Sequence, residues 1–218
     1  MHQCVRNLLE IEKEIYLKKY SHKSKTEIIA VSKTFGISDI MPLIEHGHIH
    51  FGENKVQEAM NKWSNISNKY HNLKLHMIGK LQTNKVKQAV SIFDYIHSID
   101  SLKLAKKISI EQNKINKKIK LFIQVNIGDE NQKNGISIKN LKDFYECLGK
   151  ELNLDIIGLM CIPPIDAEPE DVFKEMNSLN NIIGLKELSM GMSSDYLKGI
   201  KHGATFVRIG SKIFGNRI

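Results

Sequence analysis

The stretch IIAVSK, residues 28–33, is a β-type run that ends on a lysine, just before Phe35-Gly36 turns the chain. Ile28, Ile29 and Val31 are branched residues of the kind that fill a buried strand. Seven further runs of this type follow: HIHFGEN (48–54), KLHMIG (74–79), YIHSID (95–100), KLFIQVN (120–126), LDIIGLMCI (154–162), KELSMGM (186–192) and TFVRIGS (205–211). Helix-patterned segments lie between them, at 38–46, 55–68, 83–91, 101–113, 137–149, 169–182 and 194–202. Strands alternating with helices make parallel βαβ units. Eight such units, with no linker or low-complexity break, predict an α/β fold: a single (β/α)8 barrel of the TIM type spanning 1–218 as one domain. A doubly wound sheet is the alternative, but the glycine-rich fingerprint it would want after the first strand is absent.

The flanks of these runs agree. Ser101 can open a helix, Asp166 and Glu168 precede the 169–182 segment, and Pro163-Pro164 stops the sixth run. Gly47, Gly149 and Gly203 sit where a helix end wants a left-handed residue. The opening MHQCVRNLLEIEKEIYLKKY carries Glu10, Glu12 and Glu14 within its apolar periodicity, which predicts an amphipathic helix outside the barrel rather than a signal peptide. The sequence stops seven residues after Ser211, so the last helix is expected to have one or two turns.

Composition narrows the function classes. Hydrophobic residues make up 41% and charged residues 26%, ordinary values for a globular chain with a real core. No apolar run approaches the roughly 20 residues that cross a bilayer, and a cytoplasmic protein without membrane partners is expected. Cys4, Cys147 and Cys161 are odd in number and far apart, giving neither a disulfide framework nor a CxxC site; Cys161 reads as a buried, inert thiol. The net charge of +8 comes mainly from scattered lysines such as Lys114, Lys117, Lys118 and Lys120. With 7% aromatics and no arginine cluster, specific nucleic-acid binding is not expected.

In a barrel, alternate residues of each strand point inward, and sites form at the C-terminal ends. Lys33 then tops a stack of Ile29 and Val31. Phe206 and Arg208 share a face opposite Val207 and Ile209, as do Phe122, Gln124 and Asn126 on the fifth run and His76 and Ile78 on the third. Lys33, Asn54, His76, Asn126 and Arg208 should ring one mouth. SMGMSSD (189–195) and RIGSKIFG (208–215) follow the seventh and eighth strands, where barrels often bind phosphate. Gly191 and Gly210 allow backbone amides close to an anion, and Ser193, Ser194 and Ser211 add hydroxyls. A desolvated lysine forms Schiff bases with carbonyls. Such a lysine, a phosphate anchor and an arginine for a ring nitrogen together specify pyridoxal 5′-phosphate (PLP).

Blander readings compete. Arg208 could pair with a buried carboxylate such as Glu53, and Ser193 and Ser211 could cap helices. His46, His48 and His50 raise a metal, but no ligand set completes a tetrahedral shell. His76 reads as a hydrogen-bonded strand histidine rather than a base. Glu130 and the stretch 131–135 read as a polar surface loop.

The segments AVSKTF, FGENKVQE, HMIGKLQTNK, HSIDS, VNIGDENQKNGIS, GLMCIPP and SMGMSSDYLKGIKHGATFVRIGSKIFG resemble, in order and over essentially the whole chain, the PLP homeostasis protein family, which is related to the N-terminal barrel of alanine racemase. The resemblance implies that Lys33 is the Schiff-base lysine and that Arg208 faces the pyridine nitrogen. It implies that Ser193, Gly210 and Ser211 bind the phosphate, with Asn54 and Met77 near the ring. Cys161 stands where Ala is more usual, and Lys80 replaces a common Pro; neither is a proposed cofactor contact. The implied function is vitamin B6 homeostasis: a monomer that holds PLP and exchanges it with PLP-dependent apo-enzymes, without substantial turnover. The alternative is a fold-type III amino-acid racemase. Those enzymes add a β-rich domain and a tyrosine from a partner subunit, for which this sequence leaves no room.

Overall fold

The computed structural model describes residues 1–18, 20, 26–67, 69–128 and 134–215. Its strands are β1 (Glu27–Val31), β2 (His50–Glu53), β3 (Lys74–Met77), β4 (Tyr95–Ile99), β5 (Lys120–Asn126), β6 (Ile136–Ser137), β7 (Asp155–Met160), β8 (Glu187–Met192) and β9 (Phe206–Ile209). All but β6 close into a ring in the order β1-β2-β3-β4-β5-β7-β8-β9, with β9 returning to β1 and every pairing parallel. This is the expected (β/α)8 barrel. The two-residue β6 lies beside the end of β5 and has no counterpart in the sequence reading, because two residues carry no period to detect.

The helices are α1 (Gln3–Leu17), α2 (Ile37–Glu45), α3 (Val56–Ser67), α4 (Val86–Ile92), α5 (Leu102–Lys114), α6 (Ile138–Glu151), α7 (Pro169–Ile183), α8 (Tyr196–Lys201) and α9 (Ser211–Phe214). Ser101 caps α5, its hydroxyl accepting from the Leu104 amide at 3.4 Å. Pro169 opens α7, where its missing N–H costs nothing. Gly149 departs from expectation: α6 continues through it to Glu151. Among the described residues, no helix is long and apolar enough to cross a membrane.

Helix α1 is the extra element outside the barrel. Cys4, Val5, Leu8 and Ile11 recur at helical spacing and are buried, while Glu10 and Glu12 face out. Its polar residues reach the other end of the chain. Asn7 Nδ2 donates to the Ile213 carbonyl at 2.8 Å, and Lys212 Nζ donates to Glu14 Oε2 at 2.9 Å. The Tyr196 hydroxyl donates to the same carboxylate. α1 therefore clamps α9 and the start of α8.

The strands bury both faces. Outward residues such as Phe51, Val207 and Ile209 pack under the helices with Trp63, Phe93 and Phe173. Inward, Ile29, Tyr95, Phe122, Met160 and Phe206 fill the barrel. Three histidines share that interior. His50 Nδ1 lies 2.9 Å from His76 Nε2, His76 Nδ1 lies 2.9 Å from His97 Nε2, and His97 Nδ1 lies 2.8 Å from Ser189 Oγ. His76 stacks on Tyr95 and His97 on Phe122, with ring centroids 4.2 and 4.3 Å apart. Burial holds the His76 and His97 pKa values well below the ordinary range, so both rings are neutral.

A buried charge cluster sits on the outward side of β2. Glu53 Oε1 accepts from Ser32 Oγ (2.7 Å), Lys62 Nζ (2.9 Å) and Trp63 Nε1 (3.0 Å). Both charged side chains are nearly excluded from water, at 8% and 0% exposure. Removing one partner of such a pair leaves the other charge buried and uncompensated. Lys62→Met should therefore cost about 3–5 kcal/mol, read from denaturant midpoints, and Lys62→Met with Glu53→Gln should recover part of that loss.

The neutral histidines make a second prediction. In the unfolded chain each titrates near 6.5, so below that pH the unfolded state binds more protons than the native state. Stability should be flat in this respect above about pH 7. It should fall by about 1.4 kcal/mol per pH unit for each of His76 and His97 as the pH drops from about 6 to about 5. Urea unfolding across that range measures it, and a pH-independent stability would contradict the assignment.

Candidate functional site

At the C-terminal ends of the strands, a cleft of about 700 Å³ is lined by Lys33, Asn54, Ile78, Gly79, Ser193, Arg208, Gly210 and Ser211, among others. Of the residues singled out in the sequence, it brings together Lys33, Asn54, Ser193, Arg208, Gly210 and Ser211. Met77 is a correction. On β3 the alternation turns His76 inward, so Met77 is buried among the outward, helix-facing core residues, and Ile78 lines the cleft instead. His76 and Asn126 also fall outside the lining: His76 is wholly buried lower in the barrel, and Asn126 pairs along β6.

Lys33 stands two residues beyond the end of β1, half-buried, in a turn. The next residue, Thr34, has φ 71°, a left-handed conformation that a β-branched side chain disfavours. Its amide donates to Glu58 Oε1 at 2.6 Å, and Lys62 Nζ donates to the same oxygen at 3.2 Å and to the Ser32 carbonyl at 2.8 Å. Burial pushes the Glu58 carboxyl up, but the Thr34 amide and Lys62 outweigh it and hold it below its ordinary value. The carboxylate thus fixes the strained turn that presents Lys33. Neither Glu58 nor Thr34 was foreseen; helix α3 gave no sign that one of its carboxylates reaches back to the β1 turn.

Arg208 lies on β9, 5% exposed. Nη1 donates to Ser189 Oγ and Nη2 to the Cys161 carbonyl, both at 2.8 Å. Burial draws its pKa down while Cys161 and Asp195 act the other way; an arginine starts so high that it stays charged. The pairing with Glu53 does not occur, because Glu53 faces the opposite side of β2 and is taken by Ser32, Lys62 and Trp63. The Cys161 thiol, pushed up to about 12 by burial, is the inert group expected.

The rim opposite Lys33 is built from the β8–α8 and β9–α9 turns. Gly191, at φ 90°, turns the chain out of β8, where an added Cβ would lie 3.0 Å from Tyr196 Cα. Asp195 Oδ1 accepts the Met192 amide at 2.6 Å and closes that turn. Across it the Gly210 amide donates to Ser193 Oγ at 3.2 Å. Among the described residues, the charged side chains lining the cleft are Lys33 and Arg208, without a carboxylate between them. Asn54 Oδ1 is buried and finds no hydrogen-bond partner among the described residues. The arrangement suits a small anionic, partly aromatic ligand that can accept from hydroxyls and amides and meet an amine.

Other candidates resolve simply. Among the described residues no group of three or more His, Cys, Asp or Glu side chains is disposed to hold a metal. His76 is the hydrogen-bonded strand histidine expected. Lys80 Nζ donates to Asn134 Oδ1 at 2.6 Å; Glu130 and Asn131 lie outside the described residues. His97 and Ser189 were missed, although their strands place them on the inward face.

Comparison with known proteins agrees with the fold. The family model for the alanine racemase N-terminal domain matches residues 12–217. The pyridoxal phosphate homeostasis protein of Aquifex aeolicus is 38% identical over 200 residues, covering 88% of this chain and 87% of that protein. The protein of the same name from Pasteurella multocida is 35% identical over 225 residues, 97% of each. PipY of Synechococcus elongatus PCC7942, whose structure with PLP bound is known, superimposes with a TM-score of 0.86 at 30% identity, covering 98% of this chain and 100% of that one. Alanine racemase of Clostridium difficile 630 has a TM-score of 0.75 at 14% identity; it matches 99% of this chain but 57% of its own, and shares the fold. Matched by a racemase-barrel model over nearly its whole length, and by homeostasis proteins over most of both sequences, this chain belongs to the pyridoxal phosphate homeostasis protein family.

Proposed function

We propose that this protein binds PLP in the cleft at the C-terminal end of the barrel and serves as a carrier or regulator of the cofactor rather than as a catalyst. The observation that carries the reading is that one cleft joins the Lys33 amine, the buried Arg208 guanidinium and the Ser193–Gly210–Ser211 rim. The residues fit the group: the lining is cationic, hydroxyls and amides rim it, and Asn54 Oδ1 awaits a donor. When bound, PLP supplies an aldehyde that an amine captures reversibly and a ring that withdraws electrons when its nitrogen is protonated. Lys33 would hold the aldehyde as a Schiff base. Ser193, Gly210 and Ser211 would hold the phosphate, Asn54 and Ile78 would border the ring, and Arg208 would face the ring nitrogen.

Arg208 and the supply of bases at the cleft bear together on carrier against enzyme. Its guanidinium is cationic and donates only. Facing a pyridine nitrogen, it disfavours a second proton there and leaves the ring a weak electron sink. Racemases of this fold type offset that handicap with bases on both faces of the substrate α-carbon; among the described residues this cleft lining offers Lys33 as its one base, which favours reversible capture. The names of the homeostasis relatives accord with this reading. The protein would act as a single-domain cytoplasmic monomer that exchanges PLP with PLP-dependent apo-enzymes.

Borohydride reduction of the PLP-loaded protein should fix the cofactor to Lys33, as located by peptide mapping, and Lys33→Ala should lose the reducible yellow species. Labelling of another lysine would overturn the assignment. Ser211→Ala should weaken binding by on the order of 1–3 kcal/mol, as for one hydrogen bond to a charged group.

Incubating the loaded protein with L-alanine and other amino acids in deuterated water should give no enzyme-like α-proton exchange. Exchange that is lost in Lys33→Ala would instead establish the racemase alternative.

A further inference from the structure

The line of polar groups through the barrel interior has a direction, and it can be worked out from one end. Arg208 Nη1 is an obligate donor, so Ser189 Oγ accepts from it at 2.8 Å. Ser189 is fully buried, and its hydroxyl oxygen meets Arg208 and His97 Nδ1. The guanidinium cannot accept, so the hydroxyl hydrogen goes to His97 Nδ1. A neutral His97 with an accepting Nδ1 carries its proton on Nε2 and donates to His76 Nδ1 at 2.9 Å. The same step repeats: His76 donates from Nε2 to His50 Nδ1 at 2.9 Å. His50 Nε2 lies 3.8 Å from Glu27 Oε2, an acceptor. A fixed donor at one end and a carboxylate at the other leave one sense for the whole chain.

We infer that Ser189, His97, His76 and His50 form a unidirectional hydrogen-bond chain, all three rings in the Nε2–H tautomer, that positions Arg208 in the cleft from the opposite end of the barrel. Glu27 and His50 begin β1 and β2 and border a separate cavity of about 700 Å³ beside α1, away from the Lys33 cleft. The chain is enclosed by Tyr95, Phe122 and Phe206, whose rings pack against the imidazoles. In such low-dielectric surroundings each donated hydrogen bond polarises the next. By donating to His97, the Ser189 oxygen becomes a better acceptor for Arg208. Together with the Cys161 carbonyl this holds two guanidinium nitrogens in place. His97 and Ser189 are thus positioning residues, touching Arg208 directly or through one atom and standing clear of the cleft lining.

The first test needs no cofactor. Long-range 1H–15N correlation spectra of the ligand-free protein should show His50, His76 and His97 with bare Nδ1 and protonated Nε2 at neutral pH. A proton on His97 Nδ1 overturns the chain. The second test rests on the PLP reading of the cleft. His97→Phe fills the ring volume but accepts nothing, whereas His97→Asn places an acceptor where Nδ1 stood. PLP affinity by absorbance titration should fall about tenfold in His97→Phe, the equivalent of one hydrogen bond to a charged group, and stay within about threefold in His97→Asn. An unaltered His97→Phe, or equal losses in both variants, sinks the positioning role. If the wild-type protein binds no PLP, the reading of the cleft fails, and the tautomer pattern alone decides the chain.

Discussion

The seam between β9 and β1 sets everything else. Its register places Ile29 opposite Arg208 and Ala30 opposite Ile209, and the ring closes there. Because parallel neighbours keep their inward faces aligned, this one pairing puts Arg208 inside the barrel. It also brings the turn after β1 beside the turn after β9, so that Lys33 and Gly210 line one cleft. A one-residue slip would turn Arg208 out among the apolar helix contacts and bring Ile209 in. The apolar residues flanking both make that exchange costly, and the register follows from the sequence pattern of a single strand.

The barrel then has to house charges where water is scarce, and it does so on both sides of its wall. Outside β2, Glu53 gathers Ser32, Lys62 and Trp63 onto one oxygen. Inside, Arg208 is held by Ser189 and a main-chain carbonyl, with no counter-ion in contact among the described residues. The first cluster supports the turn that carries Lys33, through Lys62 and Glu58. The second leaves a cation at the cleft with capacity to spare for an anionic ligand. Stability and binding are thus built on the two strands that flank β1 in the ring, β2 on one side and β9 on the other.

How much of this was legible varies by kind of residue. Strand and helix alternation gave the barrel, since periodicity survives in sequence. Parity correctly separated Phe206 and Arg208 from Val207 and Ile209, because the pleat has a period of two. Family likeness, which carries no parity, suggested Met77, and the pleat turns that side chain outward. His97 was readable by the same parity rule through Tyr95, yet a lone histidine in YIHSID gives no hint of its partners on β3 and β8. Glu58 and Thr34 meet across 24 positions, and nothing local in either segment announces a contact that only the tertiary fold creates. Gly149 shows the converse: a glycine near a helix end proved to lie within the last turn of α6, which runs on to Glu151.

The clamp of α1 on α9 carries an implication for assembly. The Asn7 bond to the Ile213 carbonyl spans 206 positions, and Glu14 reaches Tyr196 and Lys212 over 182 and 198. Contacts of such separation form late, after shorter loops have closed and offset their chain entropy. The eight-stranded wall is stitched mainly by pairings between successive units, but its closing β9–β1 seam spans nearly as much of the chain as the clamp does. Ser211 and Gly210 belong to that last piece. The anion rim is therefore completed where the ring itself closes, and capacity for ligand is tied to the same event that seals the barrel.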